Sequence, residues 1–175
     1  MFNPLEKIEM RIKDALAPWH NPDSVVKPEY LSHGTLECYS LKESRPFYED
    51  FLGFECVRHA KPAMAIRCGM RFHIVCLEVG DLLHPATVDN HWGIDVGSAA
   101  EVERIWRAAS DLKEKFKIRT VRDLVKQHGV YSFYIEDLDH NWWEFQYYDG
   151  TQNDDMFDFG DRYEDSEMSA PTTAG

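Results

Sequence analysis

Two short stretches, SHGTLEC at 32–38 and NHWGIDV at 90–96, share one order of residue types. Each has a small polar residue, His, two further residues, an aliphatic residue, an acid and an apolar residue. Their histidines, His33 and His91, stand 58 residues apart. Each stretch opens a run that reads as strand, helix and strands. An internal repeat constrains a fold strongly. Two such units related by a pseudo-twofold bring their first and last strands together.

The first unit spans 30–80 and the second 88–149. In the first, LSHGTLECYS reads as a strand, Ser44 to Leu52 as a short helix with Gly53 as its cap, and FECVRHA, AMAIRCG and RFHIVCLEV as three strands. DLLHPATVDN links the units. In the second, NHWGIDV is a strand and Ser98 to Lys115 an amphipathic helix, with Val102, Ile105, Trp106, Ala109 and Leu112 on one face and Ser98 as cap. IRTVRDLVKQHG is ambiguous between strand and helical turn; VYSFYIED and NWWEFQYY are strands. The class is therefore α+β. Before the repeat, residues 1–29 read as an arm: a helix over 2–17, with Leu5, Ile8, Ile12 and Leu16 at helical spacing, then a Pro-rich connector. After it, residues 150–175 hold seven acids and one Arg and read as a solvated, flexible tail.

Alternation along a strand puts His33, Thr35 and Glu37 on one face, His91, Gly93 and Asp95 on another, and Trp142, Glu144 and Gln146 on a third. An acid between Trp143 and Phe145 is costly in an apolar interior unless something positive meets it. Two neutral imidazoles and one carboxylate on adjacent strands make the facial triad of non-haem iron sites, which leaves positions open for substrate and dioxygen. Taken singly, His33 or His91 is more often a hydrogen-bonded structural residue, and Glu144 a solvent-facing acid. The shared place of the two histidines in their units favours the metal reading. Matching RFHIV to WWEFQ pairs His73 with Glu144 and brings His73 beside the metal, as a fourth ligand or an acid–base group.

The net charge of −12 argues against a nucleic-acid partner. The chain has no apolar run of the roughly 18 residues a membrane span needs, and no apolar signal core near its start, so a cytoplasmic protein is expected. The cysteines at 38, 56, 68 and 76 show no CxxC spacing and are expected to be reduced.

At these residues the chain resembles the vicinal oxygen chelate superfamily over about 31–148, and within it the type I extradiol dioxygenases. LSHGTLECYSLKESRPFYEDFLGF is similar to the opening of their catalytic module, IRCGMRFHIVCL to the strand bearing an active-site His, and DNHWGIDV to the strand bearing the second metal His. SFYIEDLDHNWWEF resembles their signature, in which a Tyr precedes the metal Glu by ten residues, as Tyr134 precedes Glu144. Leu138 and His140 stand where the signature has Pro and Gly, and His128 lies a little closer to the Tyr than the signature's His.

The resemblance implies paired βαβββ modules forming a cupped mixed sheet around a metal. His33, His91 and Glu144 would ligate Fe(II), less often Mn(II). His73, Tyr134 and His128 would be catalytic. The substrate would be a small catechol-like diol opened by O2, and the protein a homo-oligomer. The first alternative is a glyoxalase-like isomerase or lyase using Zn or Ni with four protein ligands. The second is a metal-free binding or resistance protein.

Overall fold

Four strands with one face buried and the other open form the first sheet. β1 (His33–Cys38) lies parallel to β4 (His73–Glu78), and β3 (Ala63–Arg67) and β2 (Glu55–Ala60) continue it antiparallel, in the order β1-β4-β3-β2. Leu36, Cys38, Cys56, Met64, Ile66, Ile74 and Cys76 turn inward. The computed structural model describes residues 23–26, 31–69, 72–127, 129–150 and 152–159. The expected helix over 2–17 and His128 lie outside them.

The second sheet follows the same plan. β5 (His91–Asp95) is parallel to β9 (Trp142–Tyr147), which pairs antiparallel with β8 (Val130–Glu136). The ambiguous segment resolves into two short strands on β8, β6 (Thr120–Val121) and β7 (Val125–Gln127). The chain thus has a mixed α+β fold of two mixed sheets, each begun by a strand and a helix.

Both expected helices differ in detail. The first starts earlier, as α1 (Leu41–Pro46), then widens through a turn at Phe47–Phe51. Pro46 has no N–H to continue the ladder, and beyond it Leu52 N donates to the Phe47 carbonyl five residues back, at 3.0 Å. The second is α2 (Ala99–Asp111), capped by Ser98 Oγ, which accepts from Glu101 N at 3.1 Å. It breaks at Leu112 before a single turn, α3 (Lys113–Phe116), which Lys117 ends at φ 55°. The segment read from composition as the start of a solvated tail holds a helix, α4 (Gln152–Phe159), and Gln152 meets Gln146 of β9 at 2.9 Å.

One core serves both units. Trp143 of β9 meets Phe47, Tyr48 and Phe54 of the first unit, and Phe51 meets Phe116 and Phe145. The β8–β9 turn ties the units with hydrogen bonds. Asp139 accepts from Tyr39 N at 2.8 Å and Ser44 Oγ at 2.5 Å, and Asn141 Nδ2 donates to the Glu37 carbonyl at 3.0 Å. Asp137 is fully buried and accepts from Trp143 Nε1 and from the backbone N–H of Asp139 and Asn141. His140 takes the left-handed place in that turn, at φ 63°.

The units also touch at Gly34. A Cβ built there would stand 2.5 Å from Trp92 Cη2 and 3.4 Å from Phe72 Cζ. Only a residue without a side chain admits the indole so closely. Gly34 and Trp92 follow His33 and His91 directly, so the two repeated histidines flank the contact between the units.

The ladders correct the alignment of the repeat. His33 registers with His73 and Thr35 with Val75, whereas His91 registers with Trp142 and Gly93 with Glu144. With His33 matched to His91, the counterpart of Glu144 is Val75, and the counterpart of His73 is Trp142. The expected pairing of His73 with Glu144 is two residues out of register. Two residues is one side-chain period of a strand, so the slip leaves face and pattern unchanged and is invisible to alternation.

Candidate functional site

Parallel pairing of β5 with β9 and antiparallel pairing of β8 with β9 put His91, Tyr134 and Glu144 on one face. His91 Nε2 lies 3.3 Å from Glu144 Oε2. His91 Nδ1 is 2.7 Å from the Val88 carbonyl. A carbonyl only accepts, so Nδ1 carries the proton and Nε2 of the neutral ring presents a lone pair to the carboxylate. Two acceptors facing one another at this distance call for a cation between them, either a proton or a metal. Glu144 is only 7% exposed, and no Lys or Arg among the described residues pairs with it.

Tyr134 stands directly across the ladder from Glu144 and edge-on to His91, with ring centroids 5.0 Å apart. Burial first, and then the hydrogen bond to and charge of the Glu144 carboxylate, push its phenol up to about 12. Gln127 Nε2 donates to its oxygen at 3.3 Å. The Ser132 hydroxyl, two residues before Tyr134 on the same face, is sealed from solvent with no hydrogen-bond partner of good geometry.

In the first sheet His33 and His73 are ladder partners. Their rings stack at 5.5 Å with an interplanar angle of 21°. Ser32 Oγ lies 2.8 Å from His33 Nδ1, which leaves Nε2 without that neighbour. A cavity of about 270 Å³ opens beside His73, lined also by Glu55, Val57, Ala65 and Arg67. Arg67 is held by Glu55 at 2.7 Å. Glu37, on the His33 face, accepts from His84 N of the linker at 2.7 Å.

The sequence-predicted residues therefore form two groups: His91, Glu144 and Tyr134 on one sheet, His33 and His73 on the other. Among the described residues no three His, Cys, Asp or Glu side chains converge closely enough to hold an ion. The donor chemistry of the pair on the second sheet nonetheless fits a divalent metal. Its imidazole is oriented by a backbone carbonyl through the other ring nitrogen, as metal-bound histidines are, and no Lys or Arg among the described residues competes for its carboxylate.

Arg122 was missed in the sequence. Its guanidinium lies over the Trp142 ring, 5.1 Å from the centroid, and its backbone N–H donates to the Tyr134 carbonyl at 2.8 Å. It lies between β6 and β7, in the segment whose identity was ambiguous in the sequence.

A family model described as the Glyoxalase/Bleomycin resistance protein/Dioxygenase superfamily matches residues 31–145. No curated protein matches the chain. Among solved structures, the fosfomycin resistance protein FosX from Listeria monocytogenes is similar with a TM-score of 0.56 and 22% identity, over 74% of this chain and 99% of that one. A hypothetical protein from S. aureus gives 0.56 and 18%, over 69% and 94%. The lactoylglutathione lyase from Agrobacterium tumefaciens gives 0.50 and 22%, over 70% and 96%. At these identities the likeness is one of fold.

Proposed function

Because the chain belongs to the Glyoxalase/Bleomycin resistance protein/Dioxygenase superfamily, we propose that it is a metal-dependent dioxygenase of the extradiol type, opening the ring of a small catechol-like diol. The observation that carries the reading is the His91–Glu144 pair: a lone pair and a carboxylate 3.3 Å apart, with the imidazole fixed from behind by Val88. His33, His91 and Glu144 would hold a ferrous ion, which when bound supplies a Lewis-acidic, redox-active centre where diol and dioxygen meet.

The choice between a three-ligand and a four-ligand centre rests on Val75. A four-ligand glyoxalase-like site needs a donor at the counterpart of Glu144, and Val75 has none to offer. His73 stacks on His33 instead, and takes or gives a proton beside the substrate. Tyr134 keeps its proton at neutral pH and donates it in a hydrogen bond to a substrate oxygen. The cavity next to His73 receives part of the ring.

The test is oxygen uptake by protein reconstituted anaerobically with Fe(II), over a panel of catechols, with metal content measured in parallel. Uptake with a new yellow absorbing product supports the reading. Stoichiometric metal without uptake across the panel would turn attention to isomerase and lyase substrates.

A further inference from the structure

On the ring-opening reading, we propose that Arg122 binds an anionic group of the substrate, so that the diol is an aromatic acid. Among the described residues, Arg122 is the one arginine whose side chain makes neither an ion pair nor a hydrogen bond. Arg45, Arg67, Arg104 and Arg107 each meet a Glu, and Arg58 and Arg119 each donate to a backbone carbonyl. Guanidinium is built for bidentate contact with a carboxylate.

Its position fits that task. Arg122 lies over Trp142, and Trp142 shares its face of β9 with Glu144. Two residues along a strand span about 7 Å, which one benzene ring and its substituents can bridge. The diol end would then lie at Glu144 and the acid end at Arg122. The Trp142 ring holds the guanidinium from behind, by a cation–π contact that leaves the edge donors free. Asp95, Glu136 and Glu144 all lie on this face, and Arg122 is a cation beside them.

The experiment is isothermal titration of metal-loaded full-length protein with benzoate against benzyl alcohol, and with 3,4-dihydroxybenzoate against catechol. Wild type, Arg122→Met and Arg122→Lys are compared, and oxygen uptake is followed for the two diols. Wild type should prefer each acid by roughly 10- to 100-fold, the scale of a charge-assisted pair. Arg122→Met should lose that preference while binding the neutral ligands as before, and Arg122→Lys should keep part of it. No preference in wild type, or equal losses for acid and neutral ligand, would overturn the proposal. The two readings fail separately. Oxygen uptake without an Arg122-dependent preference removes the anion site and keeps the enzyme. A preference for benzoate without uptake of oxygen on either diol keeps the anion site and counts against the enzyme.

Discussion

The sharpest perturbation is a single methyl group at Gly34. Its φ is not in the left-handed region, so alanine meets no backbone penalty there. Alone, that replacement would stabilise by about 0.4–1 kcal/mol through the unfolded chain. The indole of Trp92 reverses the sign. The new Cβ would stand 2.5 Å from Cη2, where ordinary contact begins near 3.4 Å, so the ring must retreat by about 1 Å. Trp92 packs against Phe72, with ring centroids 6.1 Å apart, so moving its indole disturbs that contact too. Overpacking of this kind costs about 1–3 kcal/mol, or roughly five- to 150-fold in the folded-to-unfolded ratio at 1.4 kcal/mol per decade. Urea unfolding of Gly34→Ala, Trp92→Leu and the double variant measures it. In the Trp92→Leu background the alanine should be neutral or stabilising, giving a coupling of at least about 1 kcal/mol. Additive effects, or a stabilised Gly34→Ala single variant, would refute the contact. The same displacement should separate His33 from His91, so Gly34→Ala should also bind Fe(II) more weakly.

Three further outcomes are expected. Glu144→Gln and His91→Ala should each weaken Fe(II) binding by more than the roughly 10–100-fold typical of outer-shell partners, with activity lost in step; metal content after gel filtration checks this. His73→Phe should keep the metal while turnover falls by about 10²–10⁴, and loss of metal in that variant would restore the four-ligand reading. Burial, and next the charge of Asp139, push the Asp137 carboxyl up to about 7 from 3.8. The folded chain therefore holds a proton that the unfolded chain releases. That contribution is full below about pH 4 and is lost as pH rises through about 7, for a total of at most about 4 kcal/mol. Urea midpoints between pH 4.5 and 8 should fall with pH in wild type and flatten in Asp137→Asn; parallel curves would sink the argument.

Much of the fold was legible because its signals are periodic. Alternation found the long strands, and the Ser98 cap with the stripe from Val102 to Ala109 found the longer helix. The short pieces were not legible. β6 has two residues and β7 three, too few for a period to show, and both exist because β8 offers them partners. The wide turn at Phe47–Phe51 comes from Pro46 and from the aromatic contacts its side chains find in the second unit, which no local pattern encodes. For the site, residue types and faces could be read, and the structure joins His91, Tyr134 and Glu144. The ladder register could not be read, because hydrogen bonds between backbones carry no sequence mark.

That register makes the duplicated fold chemically lopsided. Each unit offers a first-strand histidine beside the contact between the two, and only the second has a carboxylate on the histidine face of its last strand, since Glu78 of β4 lies on the opposite face. Where the second unit has Glu144, the first has Val75; where the first has His73, the second has Trp142. These two exchanges work together. Val75 has no donor, so on the ring-opening reading it would leave that position to an exogenous ligand. Trp142 puts a flat aromatic ring where the first unit has an imidazole and gives Arg122 a surface to lie on. The first sheet thus has His73 with a cavity beside it, and the second has the Trp142 ring with Arg122 over it. On the ring-opening reading, a molecule with a diol at one end and an acid at the other would use both.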